Sequence, residues 1–344
     1  TIDSGLQSAI YQAFKEDKSC SVAMNPYTGE VLALVSTPSY DNNDFILGMS
    51  QEKWDALNGD GRNPLLNRFR QRFAPGSSFK PITGAIGLDA GTLDPDRDYG
   101  EEGLSWQKDE SWGNYHVTTL HNTNPATLEH AMVLSDNIYF AKAALETGYD
   151  AFASGLDRLG FNQDLPFEIA VAQSQYSNTD RIETEIQLAD SGYGQGQVLV
   201  NPIHLASLYT IFPNKGNVMK PRLVHDKDME PEVWLPGVFT PEITDRIENA
   251  MKQVVSSPEG TGRAAYREDL TLAGKTGTAE IKASKTDTSG TELGWFAVYT
   301  ADPGQPAPLL LVSMVEDVKH AGGSGLVVRK DKAVLDAWLP VAPQ

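Results

Sequence analysis

Ala74-Pro75-Gly76-Ser77-Ser78-Phe79-Lys80-Pro81-Ile82-Thr83-Gly84-Ala85-Ile86-Gly87-Leu88-Asp89-Ala90-Gly91 is the stretch on which the reading of the whole chain turns. Pro75-Gly76 breaks the preceding segment, Ile82, Ala85, Ile86 and Asp89 recur at helical spacing, and Gly91 is placed to stop the helix. A buried helix opening at Ser77 is therefore expected. Lys80 follows about one turn later, roughly 4.5 Å further along the axis and on the same face, so its amine is expected within reach of the Ser77 hydroxyl. A serine alcohol needs such a partner to take its proton, and the positive end of a helix favours the alkoxide that results.

The S-x-x-K spacing occurs three times, at Ser50-Lys53, Ser77-Lys80 and Ser105-Lys108. An isolated match usually means a surface serine and lysine on one helix. Only Ser77 combines a Pro-Gly break with an apolar helix behind it.

Around this stretch the composition is that of a globular protein: 344 residues, 40% hydrophobic and 22% charged. A net charge of −18 argues against a nucleic-acid partner, which needs a basic surface. Cys20 is the single cysteine, so neither an intramolecular disulfide nor a cysteine metal site is available, and its apolar neighbours predict a buried, inert thiol. No apolar run has the length of a membrane span, and Thr1-Ile2-Asp3-Ser4 is not the start of a signal peptide. The six histidines lack metal-binding spacing and no G-x-S-x-G elbow is present, so neither a metal nor another cofactor is expected and lysine is the leading candidate base.

The N-terminal Ile2, Leu6, Ile10 and Phe14 predict an amphipathic helix, followed by a hairpin of Ser21–Met24 and Val31–Val35 around Asn25-Pro26-Tyr27-Thr28-Gly29-Glu30. Residues 36–72 read as an irregular connection. In 91–125 the aromatic residues Trp106, Trp112 and Tyr115 read more as staples of a loop than as cleft walls. Helical runs at 127–134 and 138–145 flank the junction Ser135-Asp136-Asn137, whose side chains suit a break. Gly192–Gln197 is glycine-rich without the pattern of a nucleotide loop. Asn201-Pro202 and Thr240-Pro241 each open a helix, the first expected to reach Phe212. Strands are predicted at 270–281, 294–300 and 309–315, and a closing helix at 331–339. One antiparallel sheet completed by both ends of the chain, with a helical lobe inserted, is the expected architecture.

Lys275-Thr276-Gly277-Thr278 lies inside the first late strand and is the only K-T-G in the chain, as Ser135-x-Asn137 is the only S-x-N. Strand alternation puts Lys275 and Gly277 on one face and Thr276 and Thr278 on the other. A glycine inside a strand often marks the close approach of backbone or ligand. S-x-x-K, S-D-N and K-T-G together form the signature of penicillin-binding proteins and class A β-lactamases, and all three occur here in that order.

On these motifs, and on the longer blocks Ala33–Asp41, Trp106–Gly113, Leu188–Gly196 and Gly274–Glu280, nearly the whole chain resembles the transpeptidase domain of class B penicillin-binding proteins. It is most similar to the low-affinity, methicillin-resistance-type subgroup. The resemblance implies an α/β (α+β) fold like that of the serine β-lactamases: a five-stranded antiparallel sheet flanked by terminal helices, with an all-helical lobe. It implies one domain over 1–344, with a sheet lobe at about 1–60 and 260–344 and a helical lobe at about 70–255. A membrane anchor and a pedestal module would lie outside these residues, holding the domain on the extracytoplasmic face of the plasma membrane. The expected partners are D-Ala-D-Ala stem peptides, β-lactams and, through the missing N-terminal parts, a cell-wall synthesis complex; the fragment itself is expected to be monomeric.

The roles that the resemblance carries are as follows. Ser77 attacks the D-Ala-D-Ala carbonyl, Lys80 takes its proton, Ser135 relays a proton to the leaving nitrogen and Asn137 binds the substrate amide. Lys275, Thr276, Gly277 and Thr278 form the carboxylate side of the site, and the backbone N–H groups of Ser77 and Thr278 make the oxyanion hole. Tyr193, Gln195, Glu280 and Trp112 are candidates for the cleft border. For Lys80 to act as base its pKa must fall from about 10.4 toward 7, roughly 4 kcal/mol, through burial and the charge of Lys275. A serine β-lactamase and a non-catalytic β-lactam sensor or cell-wall scaffold are the alternatives: the first must hydrolyse its acyl-enzyme rapidly, the second releases no D-Ala.

Overall fold

The computed structural model describes residues 1–225, 228, 230–281 and 290–339. Its first helix, α1 (Ser4–Phe14), is capped by Asp3, whose carboxylate accepts from Leu6 N–H, and buries Leu6, Ile10 and Phe14. The hairpin β1 (Ser19–Met24) and β2 (Val31–Thr37) follows as expected. Residues 36–72 differ from the irregular connection read in the sequence. They contain α2 (Asn42–Leu47) and α3 (Gln51–Gly59), capped by Asp41 and Ser50, with no side chain buried. Ser50 is thus an ordinary helix cap, and the S-x-x-K match there has no further meaning.

A 3-10 turn, Gly76–Phe79, leads into α4 (Lys80–Asp89). The expectation that Ser77 opens the α-helix is corrected: the helix begins at Lys80. The cause is Pro81, which in an α-helix starting at Ser77 would have to donate to the Ser77 carbonyl and has no N–H to do so. Lys80 N–H takes that carbonyl instead, in the tighter 3-10 bond.

The helical lobe continues with the short hairpin β3 (Ser105–Trp106) and β4 (Val117–Thr118), then α5 (Leu128–Leu134), α6 (Asn137–Thr147), α7 (Tyr149–Arg158), α8 (Glu185–Gly192) and α9 (Pro202–Tyr209). The last stops three residues short of Phe212, because Thr210 N–H bonds back to Ser207 and tightens the turn. A second short hairpin, β5 (Val218–Met219) and β6 (Val233–Leu235), precedes α10 (Pro241–Ser256). The three late strands are β7 (Leu272–Ile281), β8 (Thr291–Thr300) and β9 (Leu310–Val315). α11 (Ser324–Trp338) starts seven residues earlier than expected; its first turns bury Val327 and Val328, whose periodicity is obscured in the sequence by Arg329, Lys330 and Lys332.

The five long strands form one antiparallel sheet in the order β2-β1-β9-β8-β7, so the two ends of the chain meet between β1 and β9. Both faces are covered. On β8, Trp295, Ala297 and Tyr299 point into the core shared with the helical lobe, while Phe296 and Val298 point into the core under α1 and α11. β7 is left at the edge of the sheet, with the turn Gly76–Phe79 packed against it.

Candidate active site

Three contacts from other parts of the fold, and one within it, hold the turn that carries Ser77. Trp295 Nε1 of β8 donates to Ala74 O at 3.0 Å, and Tyr209 of α9 donates its phenol to Ser78 O at 2.6 Å. Gly76 N–H donates to Gly194 O at 2.9 Å, and Ser78 Oγ closes the turn onto Pro75 O at 2.8 Å. Two glycines make the fit possible. A Cβ on Gly76 (φ +54°) would lie 2.2 Å from Thr278 O, and one on Gly194 (φ +74°) would lie 2.1 Å from Gly76 O. Gly277 is the third close approach, 2.6 Å from Pro75 O by the same measure, in keeping with the meaning read into a glycine inside this strand. Ser77 itself is half-buried, and its N–H has no acceptor among the described residues.

Ser135 is the hub. It ends α5 in the left-handed conformation (φ 61°, ψ 46°), which a residue with a Cβ adopts at a cost of about 1–2 kcal/mol. Asp136 then caps α6 by accepting from Ile138 and Tyr139 N–H. The kink carries the Ser135 hydroxyl to 2.8 Å from Lys275 Nζ and 3.2 Å from Lys80 Nζ. Lys80 donates further to Ser135 O at 2.6 Å and to Asn137 Oδ1 at 2.7 Å. Its hydrogen bonds therefore go to Ser135 and Asn137 and not to Ser77, in contrast to the direct pairing read from the S-x-x-K spacing.

Both lysines are fully buried. Burial and then the charge of Lys275 hold Lys80 well below the usual lysine range, partly opposed by Asp136; burial lowers Lys275 to about 7. A neutral amine is thus available at neutral pH, and in a chain of net charge −18 the cleft is a place where two amines meet without an acidic partner among the described residues. Asn137 Nδ2 is held at 2.8 Å by Thr118 O of β4, so the aromatic hairpin sets the orientation of this amide.

Thr276 is buried, and its hydroxyl donates to Thr261 Oγ1, a residue that the sequence reading passed over. Thr278 is half-buried on the same strand face. Of the candidates for the border, Tyr193 is buried with its phenol on Asp190, beside Tyr115, and Gln195 closes the same turn through its N–H on Asp190 O. This loop supports the Ser77 turn from below through Gly194. Trp112 is also buried, edge-on to Trp106 and Tyr115 with its indole toward Glu185, and acts as the staple that the loop composition suggested. Glu280 is exposed near the end of β7. Cys20 is buried, and burial raises its thiol pKa. Among the described residues no cluster of histidine, cysteine and acidic side chains is placed to hold a metal ion.

A sheet-edge strand, a left-handed serine junction and a lysine-headed helix meet at the turn that carries the half-buried Ser77. The model of the penicillin binding protein transpeptidase domain matches residues 19–333, and the chain belongs to that family. It is 44% identical to penicillin-binding protein 3 of Bacillus subtilis over 333 residues, which is 96% of this chain and 49% of that protein. It is 28% identical to peptidoglycan D,D-transpeptidase MrdA of Haemophilus influenzae over 98% of this chain and 56% of that protein. The chain thus spans about half the length of the curated relatives it matches. Its fold matches the crystal structure of Pseudomonas aeruginosa PBP2 in complex with WCK 5153 with a TM-score of 0.83 and 28% identity, covering 99% of this chain and 75% of that one.

Proposed function

We propose that this domain is a peptidoglycan D,D-transpeptidase that cross-links stem peptides through an acyl-enzyme on Ser77 and is acylated by β-lactams. The observation that carries the reading is the convergence of two buried amines on the Ser135 hydroxyl beside the Ser77 turn. The relatives named D,D-transpeptidase and the neighbour solved in complex with WCK 5153 support it.

Neutral Lys80 takes the Ser77 proton as the oxygen attacks the penultimate D-Ala carbonyl. The oxyanion that forms is stabilised by the backbone N–H groups of Ser77 and Thr278; one such donor is typically worth about 3 kcal/mol in the barrier. Once Lys80 holds the Ser77 proton it donates to Ser135 Oγ, which passes its own hydrogen to the leaving nitrogen and takes the one from Lys80, returning that amine to the neutral form. Terminal D-Ala departs, the ester remains on Ser77, and the amine of a second stem peptide displaces it to form the cross-link and restore the hydroxyl. Asn137 binds the substrate amide, and the hydroxyls of Thr276 and Thr278, helped by Lys275, draw in the terminal carboxylate. The similarity blocks named above support membership of the low-affinity, methicillin-resistance-type subgroup, in which slow acylation rather than a missing residue limits β-lactam binding. The substrate implies work on the extracytoplasmic side; among the described residues no helix is long and apolar enough to cross a membrane.

Release of D-Ala from a stem-peptide mimic, compared between the wild type and Ser77→Ala, tests the reading. Release by the wild type alone supports it, and equal release by both contradicts it. With nitrocefin a single stoichiometric burst is expected; sustained hydrolysis would mean a β-lactamase.

A further inference from the structure

Eight of the fourteen large apolar side chains exposed among the described residues fall within residues 2–65, so the exposed apolar surface is gathered around α1, α2 and α3, at the β2 side of the sheet. α2 supplies Phe45, Ile46 and Leu47, the last two 78% and 83% exposed. The rings of Tyr40, Phe45 and Trp54 follow one another edge to face, with centroids 5.2 and 6.3 Å apart. Tyr40 also lines a groove of about 560 Å³ together with Ile2, Tyr11 and Leu65, which joins the helices and the groove into one face. Neither α2 nor α3 buries a side chain. A surface of this kind, apolar yet outside the core of its own chain, marks a docking site.

The groove runs beside β2, whose outer edge is already satisfied by this chain. Gln7 Oε1 accepts from Leu34 N–H at 2.8 Å, Gln7 Nε2 donates to Leu34 O at 2.7 Å, and Asp3 N–H donates to Leu32 O at 2.8 Å. A partner strand could not continue the sheet there, and an occupant has to enter with its side chains, as a helix does. Charge narrows the occupant further. Lys53 is held by Asp44 at 2.6 Å and Arg62 by Asp60 at 2.7 Å, while among the described residues Asp41, Glu52 and Asp55 have no cation beside them. A second copy of this chain, or an anionic lipid surface, would bring negative charge against that rim. Lysine and arginine complement it.

We propose that α2 and α3, with the adjoining groove, dock an amphipathic helix of another protein, its apolar face on Phe45, Ile46, Leu47 and Trp54 and its lysine or arginine flank on Asp41, Glu52 and Asp55. β2 and β7 are the two outer strands of the sheet, roughly 19 Å apart at the usual strand spacing, so the docked helix leaves the Ser77 turn open. A partner can thereby hold the domain without covering its cleft. Nothing in this docking depends on the chemistry at Ser77.

The probe is a labelled peptide of leucine and lysine, about five helical turns long, with leucine at i, i+3, i+4 and i+7; its glutamate-for-lysine counterpart is the control, and fluorescence anisotropy reads binding. Wild type is compared with the double variants Ile46→Ser, Leu47→Ser and Glu52→Lys, Asp55→Lys. All four positions are exposed, so near-UV circular dichroism and penicillin acylation should be unchanged. Wild type should bind the lysine peptide and not the glutamate one. The serine variant should bind it roughly tenfold or more weakly, since two large apolar side chains no longer leave water. The lysine variant should bind it roughly threefold or more weakly, with a flatter dependence on salt. No binding by the wild type, or equal binding by wild type and the serine variant, overturns the proposal. Flotation with phosphatidylcholine vesicles, or dimerisation on sedimentation, that is lost in the serine variant overturns it too, and assigns the face to a membrane or to a second copy.

Discussion

Lys275 Nζ lies 2.8 Å from Ser135 Oγ, and the other nitrogen on that hydroxyl is Lys80 at 3.2 Å. Two lysines sharing one hydroxyl in a buried place are unfavourable for the folded chain, and they are what acid-base work at neutral pH requires.

Lys275→Met should therefore stabilise the protein while greatly slowing acylation. An unfolded lysine titrates near 10.5 and the folded one near 7. Between those values the unfolded chain holds the additional proton, so wild-type stability falls as pH drops from 10.5 and levels off below about 7. At 1.36 kcal/mol per unit, less two lost hydrogen bonds, the gain near neutrality is on the order of 3 kcal/mol. Melting curves at pH 6.5 and 10 check this: the advantage of the variant should be large at the first and small at the second.

Gly194→Ala tests the support under the nucleophile. The residue has φ +74°, and an added Cβ would lie 2.1 Å from Gly76 O, which is backbone and cannot swing aside. A loss of about 3 kcal/mol or more in stability is expected from strain and overpacking together. Acylation by penicillin should fall at temperatures where the variant is still folded, because the same backbone holds Gly76-Ser77. A variant that melts and acylates like the wild type would contradict this role of the loop.

Asp331 of α11 is fully buried beneath the sheet and accepts from Ser313 Oγ at 2.7 Å, with Ser21 Oγ 2.8 Å beyond. Among the described residues its second oxygen has no partner, and burial pushes the carboxyl pKa well above the usual range. Here the folded state holds the proton longer than the unfolded one, so stability is full at low pH and declines as pH rises through the unfolded value of 3.8. Asp331→Asn removes that decline. It should match the wild type at pH 3 and exceed it by at least about 1 kcal/mol at pH 7; denaturant melts at the two pH values read the difference.

How far the sequence carried this reading depends on the range of each signal. The strands themselves were legible because their faces are largely buried on both sides, visible as apolar runs such as Leu309 to Val315, whereas their order in the sheet came only from the structure. The Ser135-Asp136-Asn137 junction was visible because serine and aspartate are the usual residues at a helix break, and the structure has the break there. The 3-10 turn at Ser77 was also open to prediction from Pro81, whose missing N–H forbids the earlier start. α2 and α3 were hidden, since they bury nothing and so show no apolar stripe. Thr261 and Tyr209 carry no local signal at all: their importance arises from contacts with Thr276 and Ser78, 15 and 131 residues away.

Acylation of Ser77 is the step on which all else depends, and intact mass after exposure to penicillin, with the labelled peptide mapped, reads it most directly. One adduct per chain, on Ser77, absent in Ser77→Ala and strongly reduced in Lys80→Met, is expected. An adduct on another side chain, or equal labelling of Ser77→Ala, would contradict it.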